Sequence, residues 1–176
     1  ANDTILDLPI EVFYGPGYVI EQLGDVKYKL GPKSFFQTNT GQAIRLYDKA
    51  LEFAALRPDD LVYDLYTGLG SIALYAAKHC GRVVGVENVA PAIDDAKANA
   101  SWNKIDNVDF VVGNVEDVVD TNFIEQYGIP DVIITDPPRA GMHATAVNTL
   151  LQMECPKIVY ISCNPATLAR DVEMLS

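Results

Sequence analysis

At 176 residues, 49% of them hydrophobic and 21% charged, the chain has the size and balance of one globular domain with a real core. It has neither an apolar run of about 18 residues nor a basic-then-apolar leader, so no membrane span and no signal peptide are expected. Its formal net charge of -11 counts against nucleic-acid binding, and its three cysteines, Cys80, Cys155 and Cys163, are too few and too scattered for a disulfide framework or a metal pair.

The charge is uneven. Residues 1–50 hold five Lys/Arg and six Asp/Glu, whereas residues 51–176 hold eight and eighteen. Many of the acids fall between Asp94 and Glu125. They read first as a solvated face. If they line one edge of the fold, a polyanion has the opposite edge to approach. The odd cysteine count fits a reducing, cytoplasmic setting and no metal site.

Residues 1–16 read as irregular, ending in the breaker cluster Gly15-Pro16-Gly17. Residues 18–30 read as a hairpin, with Tyr18-Val19-Ile20 and Val26–Leu30 flanking a turn at Gly24-Asp25. This hairpin and its lead-in, 1–38, are expected to stand apart from a larger unit at 39–176. A helix fits 40–55, with Ile44, Tyr47, Leu51, Ala54 and Ala55 on one face. Strands then fit 61–65, 82–87, 108–112, 131–135 and 158–162, and helices fit 71–79, 90–102, part of 116–126, 143–152 and from Pro165 onward. The strands are nearly all apolar, as in a parallel sheet covered on both faces. The expected architecture is a doubly wound α/β fold with its ligand at the carboxyl ends of the strands.

The first strand of that series runs into Asp64-Leu65-Tyr66-Thr67-Gly68-Leu69-Gly70-Ser71. Gly68-x-Gly70-x-x-Ala73, with Glu87 ending the next strand, formally matches a dinucleotide fingerprint. Charge separates the candidates. A dinucleotide would bring its pyrophosphate beside Asp64, an unfavourable pairing. S-adenosylmethionine has no phosphate and carries an ammonium and a sulfonium, which a carboxylate favours. An NAD-dependent dehydrogenase and a ligand-free glycine turn or non-catalytic module remain the alternatives at this point.

Asp136-Pro137-Pro138-Arg139 follows the fourth strand. Its two prolines make a stiff turn that would hold Asp136 and Arg139 at the cleft rim. The arginine suits a phosphate. Ser162-Cys163-Asn164-Pro165 closes the fifth strand, with Asn164 as an N-cap and Pro165 at the first helical position. Cys163 therefore precedes a helix N-terminus at the edge that carries the glycine loop, a setting that favours a thiolate. Cys80 and Cys155 lack it and read as packing residues.

Taken together, Phe35-Phe36-Gln37-Thr38-Asn39, Asp64–Gly70, Glu87, Asp136-Pro137-Pro138-Arg139-Ala140-Gly141 and Ser162-Cys163-Asn164-Pro165 resemble the uracil-5 RNA methyltransferases. The resemblance implies a Rossmann-like S-adenosyl-L-methionine-dependent fold. It implies cofactor positions at Gln37, Tyr66, Glu87 and Asp136, with Ser71, Asn114, Asp64 and Gly68 beside them, and a nucleophile at Cys163. Asp136 and Gln37 would also touch the uracil, and Arg139 the RNA. The partner would be rRNA or tRNA rather than DNA, and the protein a monomer. Thr67 stands where the family often has Cys, and Asn114 where an acid is common. The family's general base, a glutamate near its C-terminus, would fall beyond Ser176.

Overall fold

The computed structural model describes residues 9–176. The first half of the segment expected to be irregular, residues 1–8, lies outside them.

The hairpin forms from β1 (Val19–Leu23) and β2 (Val26–Leu30), antiparallel, with Leu23 opposite Val26 across the turn. Gly24 takes φ +56°, a conformation glycine adopts without a Cβ penalty. In β2, Val26, Tyr28 and Leu30 are buried while Lys27 and Lys29 are exposed, the alternation of a sheet with one covered face.

Helix α1 (Thr40–Ala54) follows, and Asn39 caps it by accepting from the Gln42 N–H at 3.1 Å. Ala43, Tyr47, Ala50 and Ala54 form its buried face. The remaining elements are β3 (Leu61–Leu65), α2 (Ser71–Ala76), β4 (Arg82–Glu87), α3 (Ala90–Asn103) and β5 (Val108–Val112). After them come α4 (Val115–Val118), α5 (Thr121–Tyr127), β6 (Val132–Thr135), α6 (Ala144–Met153), β7 (Ile158–Tyr160) and α7 (Pro165–Met174).

Three expected spans differ in detail. The helix expected over 71–79 is α-helical only to Ala76 and tightens into a 3-10 turn over Ala77–His79. The single short helix expected within 116–126 is two, because Asp120 starts a new one by accepting from the Phe123 N–H. The last strand stops at Tyr160 rather than Ser162, because the Ser162 hydroxyl turns onto the Asn164 backbone.

Strands β3 to β7 make one parallel sheet in the order β5-β4-β3-β6-β7. Alternate residues along each strand point to opposite faces. Val62, Val83 and Ile134 join α1, α2 and the hairpin residues Leu23, Val26, Tyr28 and Leu30 in one core cluster. Tyr63, Leu65, Val84, Val86 and Ile133 join α4, α5 and α6 in another. The sheet is thus wound on both faces. Strand order reverses between β3 and β6, which opens a crevice at their carboxyl ends.

The outer edge of β2 is closed by α3. The Asn99 side chain accepts from the Lys29 N–H at 2.8 Å and donates to the Lys29 carbonyl at 3.3 Å. Asn103 does the same for Lys27, at 2.9 and 2.6 Å. One turn of helix between the two asparagines rises about 6 Å. Two residues of strand span about 6.7 Å, so the periods match.

Asn99 is 1% exposed, and removing its amide leaves the Lys29 N–H and carbonyl unpaired. Asn99→Ala is expected to lower the unfolding free energy by about 2–3 kcal/mol. Amide exchange at Lys29 should quicken more than exchange in β3 to β6. Urea titration with hydrogen exchange checks both.

Candidate cofactor cleft and cysteine loop

At the carboxyl end of β3 the chain turns sharply. Tyr66 takes φ +63°, Gly68 +56° and Gly70 +81°. A tyrosine in the left-handed region costs roughly 1–3 kcal/mol, and such strain gathers at functional sites. The two glycines serve different ends. A Cβ on Gly70 would lie 2.9 Å from the Phe110 ring and 3.2 Å from the Ala96 Cβ, so Gly70 lets α2, α3 and β5 pack closely. A Cβ on Gly68 would meet nothing within 4 Å. Gly68 fronts open space, as a loop built for a ligand's close approach requires.

Glu87 ends β4 and ties the loop down. One of its carboxylate oxygens accepts from the Gly68 N–H and the other from the Val89 N–H, each at 3.0 Å. Beside it, Tyr66, Glu87, Asn88, Gly113, Asn114, Glu116, Pro138 and His143 help line a cleft of about 180 Å³. Asn114 accepts from the Asn88 side chain at 2.9 Å and donates to Asp117 at 2.7 Å, which orients its amide.

Beneath the loop, Asp64 is 1% exposed. Its Oδ2 accepts from the Thr67 hydroxyl at 2.5 Å, and its Oδ1 is the one buried side-chain polar atom without a partner among the described residues. Burial pushes its carboxyl up to about 7, and Asp136 and Glu87 add repulsion. Half-buried Asp136 follows β6, donates its N–H to the Leu65 carbonyl at 3.4 Å, and is pushed by burial to about 6. Negative charge therefore converges on the loop from three strand ends.

Ser71 and Gln37 sit outside the cleft lining. The Ser71 hydroxyl pairs with the Tyr47 hydroxyl at 3.0 Å, and the Ser71 carbonyl accepts from the Tyr28 hydroxyl at 2.9 Å. Gln37 is half-buried in the lead-in to α1, next to Phe36, whose ring packs 5.4 Å from Tyr28.

Cys163 is exposed, just ahead of α7. Burial raises the thiols of Cys80, to about 11, and of Cys155. The segment around Cys163 is laced to the turn after Asp136. The Asn164 side-chain N–H and the Thr167 hydroxyl both donate to the Arg139 carbonyl, at 3.2 and 3.3 Å. Arg139 itself is exposed. Residues 94–125 occupy α3, β5, α4 and part of α5 around the β5 edge, while Cys163 and Arg139 follow β7 and β6 on the other side. Among the described residues no helix is long and apolar enough to cross a membrane, and no group of His, Cys, Asp and Glu is arranged to hold a metal ion.

A doubly wound parallel sheet with a strained glycine loop, an acid ending the second strand and an Asp-Pro-Pro turn after the fourth defines a Rossmann-like methyltransferase domain. The sequence profile described as tRNA (uracil-5-)-methyltransferase matches residues 17–176, and the chain belongs to that family. It is 52% identical over 99% of its length to an uncharacterized RNA methyltransferase of Bacteroides thetaiotaomicron and 50% identical over 99% to one of Porphyromonas gingivalis. It spans 38% of each of those proteins. The tRNA (uracil-54, C5)-methyltransferase of Pyrococcus abyssi, solved in complex with S-adenosyl-L-homocysteine, superposes with a TM-score of 0.80 at 37% identity. That match covers 93% of this chain and 38% of the other. The precorrin-6y C5,15-methyltransferase of Geobacter metallireducens, at 17% identity and a TM-score of 0.66, shares the fold.

The raised carboxyl of Asp64 has a measurable consequence. The folded chain holds a proton that the unfolded chain releases near pH 4, so stability falls as pH rises toward about 7 and then levels off. Between pH 6 and 7 Asp136 goes from about half ionised to nearly fully ionised, so Asp64 carries most of the slope and Asp136 the remainder. Asp64→Asn is expected to make that interval shallower by up to about 1.4 kcal/mol per pH unit. Urea unfolding at half-unit pH steps reads it, and an unchanged slope in the variant would show that Asp64 is not the group.

Proposed function

We propose that this domain binds S-adenosyl-L-methionine in the cleft beside Gly68 and methylates carbon 5 of a uridine in tRNA or rRNA. The observation that carries the reading is Cys163, exposed on a segment bonded to the Asp136–Arg139 turn, at the sheet edge that bears the cleft. Open space at Gly68, the acid at Glu87 and the convergence of Asp64 and Asp136 suit a nucleoside with a cationic tail, and they oppose a pyrophosphate. In this reading Glu87 accepts from the ribose hydroxyls and Asn114 faces the adenine edge. Tyr66 walls the cleft, and Asp64 and Asp136 favour the ammonium. Gln37 and Ser71, outside the cleft lining, would bound the site from the α1 side, with Gln37 and Asp136 assigned to the uracil.

When bound, S-adenosyl-L-methionine would supply an electrophilic methyl group, its carbon–sulfur bond breaking to leave neutral S-adenosyl-L-homocysteine. The protein's task is to make uracil carbon 5 nucleophilic. The Cys163 thiolate adds to carbon 6, and the electron pair of the 5,6 double bond moves to carbon 5 and the carbonyl at position 4. Once carbon 5 carries the methyl group, a general base takes its proton and the returning electron pair expels Cys163. The target base has to leave its stack for its ring face to be reached. Arg139 contributes at a phosphate, and the acid-poor side around Cys163 is where RNA approaches.

The test uses the full-length protein with S-adenosyl-L-methionine and RNA containing 5-fluorouridine. Fluorine cannot leave as a proton, so the reaction should stall as a methylated adduct on Cys163, visible by mass spectrometry. Cys163→Ala should form no adduct and lose at least about a thousandfold in kcat on normal RNA. Its affinity for S-adenosyl-L-methionine should stay unchanged. An active wild-type enzyme without adduct would exclude Cys163 and point to methylation at nitrogen.

A further inference from the structure

Asp171 lies on α7 and is fully buried, with no exposed surface. Its Oδ2 accepts from the Met142 N–H at 2.7 Å and the Tyr160 hydroxyl at 2.5 Å. Its Oδ1 accepts from the Arg170 guanidinium, at 2.8 Å from Nε and 2.6 Å from Nη2. The same Nη2 donates to the carbonyls of Ala140 and Met142, at 3.1 and 3.2 Å. With Asn164 and Thr167 on the Arg139 carbonyl, one helix grips residues 139–142 along their whole length. Gly141 shows how closely. It takes φ +81°, and a Cβ there would sit 2.5 Å from the Arg170 Nη2 and 2.6 Å from the Asp171 Oδ2.

A buried carboxylate is costly unless its lone pairs are filled, and an apolar residue would fill the space at no such cost. Burial alone would raise the carboxyl of Asp171. The bonds from Tyr160, Met142 and Arg170 reverse this and hold it below the ordinary carboxylate range. What this arrangement provides and an apolar contact does not is a fixed register between three segments. These are the end of β7, the turn after Asp136, and the first turns of α7 behind Cys163.

We infer that Asp171, with Arg170, is a positioning residue that locks the turn bearing Asp136 and Arg139 against the segment bearing Cys163. Resting on the function proposed above, it sets the distance between the thiol and the groups that hold the uracil more than it shapes the cleft, which takes Pro138, Gly141 and His143 from the clamped turn but Glu87 and Asn114 from other strand ends. Displacing a reacting group by about 1 Å costs roughly 100-fold in rate.

The experiment compares wild type, Asp171→Asn, Arg170→Ala and Arg170→Lys in the full-length protein. It reads the rate of adduct formation with 5-fluorouridine RNA, the kcat on normal RNA, and the calorimetric affinity for S-adenosyl-L-methionine. Asp171→Asn should slow adduct formation and kcat by about 10- to 100-fold while cofactor affinity stays within about threefold. Arg170→Ala should move the same way by less, and Arg170→Lys should recover part of the loss. Should Asp171→Asn fail to fold, the Arg170 pair decides, since that side chain is half-exposed. Equal losses of rate and cofactor affinity, or no loss of rate, would overturn the inference. An active wild type that forms no adduct would instead overturn the role of Cys163, and kcat on normal RNA would then read the clamp by the same criteria.

Discussion

The reversal of strand order between β3 and β6 is the constraint on which the rest depends. Helix α1 and the crossovers from β3 to β4 and from β4 to β5 cover one face, and α4, α5 and α6, which lead into and out of β6, cover the other. Neither set fills the gap where the two central strands end. The backbone leaves β3 through strained Tyr66 and leaves β6 through Pro137 and Pro138, and the carbonyl of Leu65 still reaches the Asp136 N–H. Apart from Gln37, in the lead-in to α1, everything proposed to touch a ligand hangs from those exits or from the ends of the neighbouring strands.

Into this gap the chain directs carboxylates. Asp64, Glu87 and Asp136 come from three adjacent strands and face a region of limited solvent. Burial raises the carboxyls of Asp64 and Asp136, and the neighbouring acids raise Asp64 further. Glu87 spends its lone pairs on backbone N–H groups and so behaves as scaffold as well as ligand-facing acid. Asp64 keeps one oxygen unpaired. Carboxyl groups so placed favour a cation, which is why burial and charge together, more than glycine spacing, distinguish a sulfonium nucleoside from a dinucleotide.

Much of the architecture was legible in the chain. Apolar runs such as Val83–Val86 and Val132–Ile134, rich in β-branched residues, fit two-sided parallel strands, and short connections leave few ways to order them. Tyr66, Glu87 and Asn114 meet because all follow strand ends of one parallel sheet. Less legible was whatever hydrogen bonds decide locally. Ser162 stops β7 two residues early, and Asp120 divides what reads as one helix. Asp171 and Asn99 were hidden for a shared reason. A lone acid or amide in a helical stretch reads as a solvated position, and its partners, Met142 and Lys29, lie 29 and 70 residues away. Tyr47 likewise reads as one more apolar contact of α1, although its hydroxyl reaches Ser71.

The asparagine pair on α3 gives the hairpin a further property. Two-stranded sheets ordinarily leave two rows of unpaired backbone groups, each able to recruit a strand from another molecule. Along β2 that row is answered by side-chain amides instead of peptide groups. Helix α3 thereby plays the part of a third strand that cannot itself be extended. The outward face of the hairpin, with Ile20 and the two lysines, is presented without an invitation to fibril growth from that side.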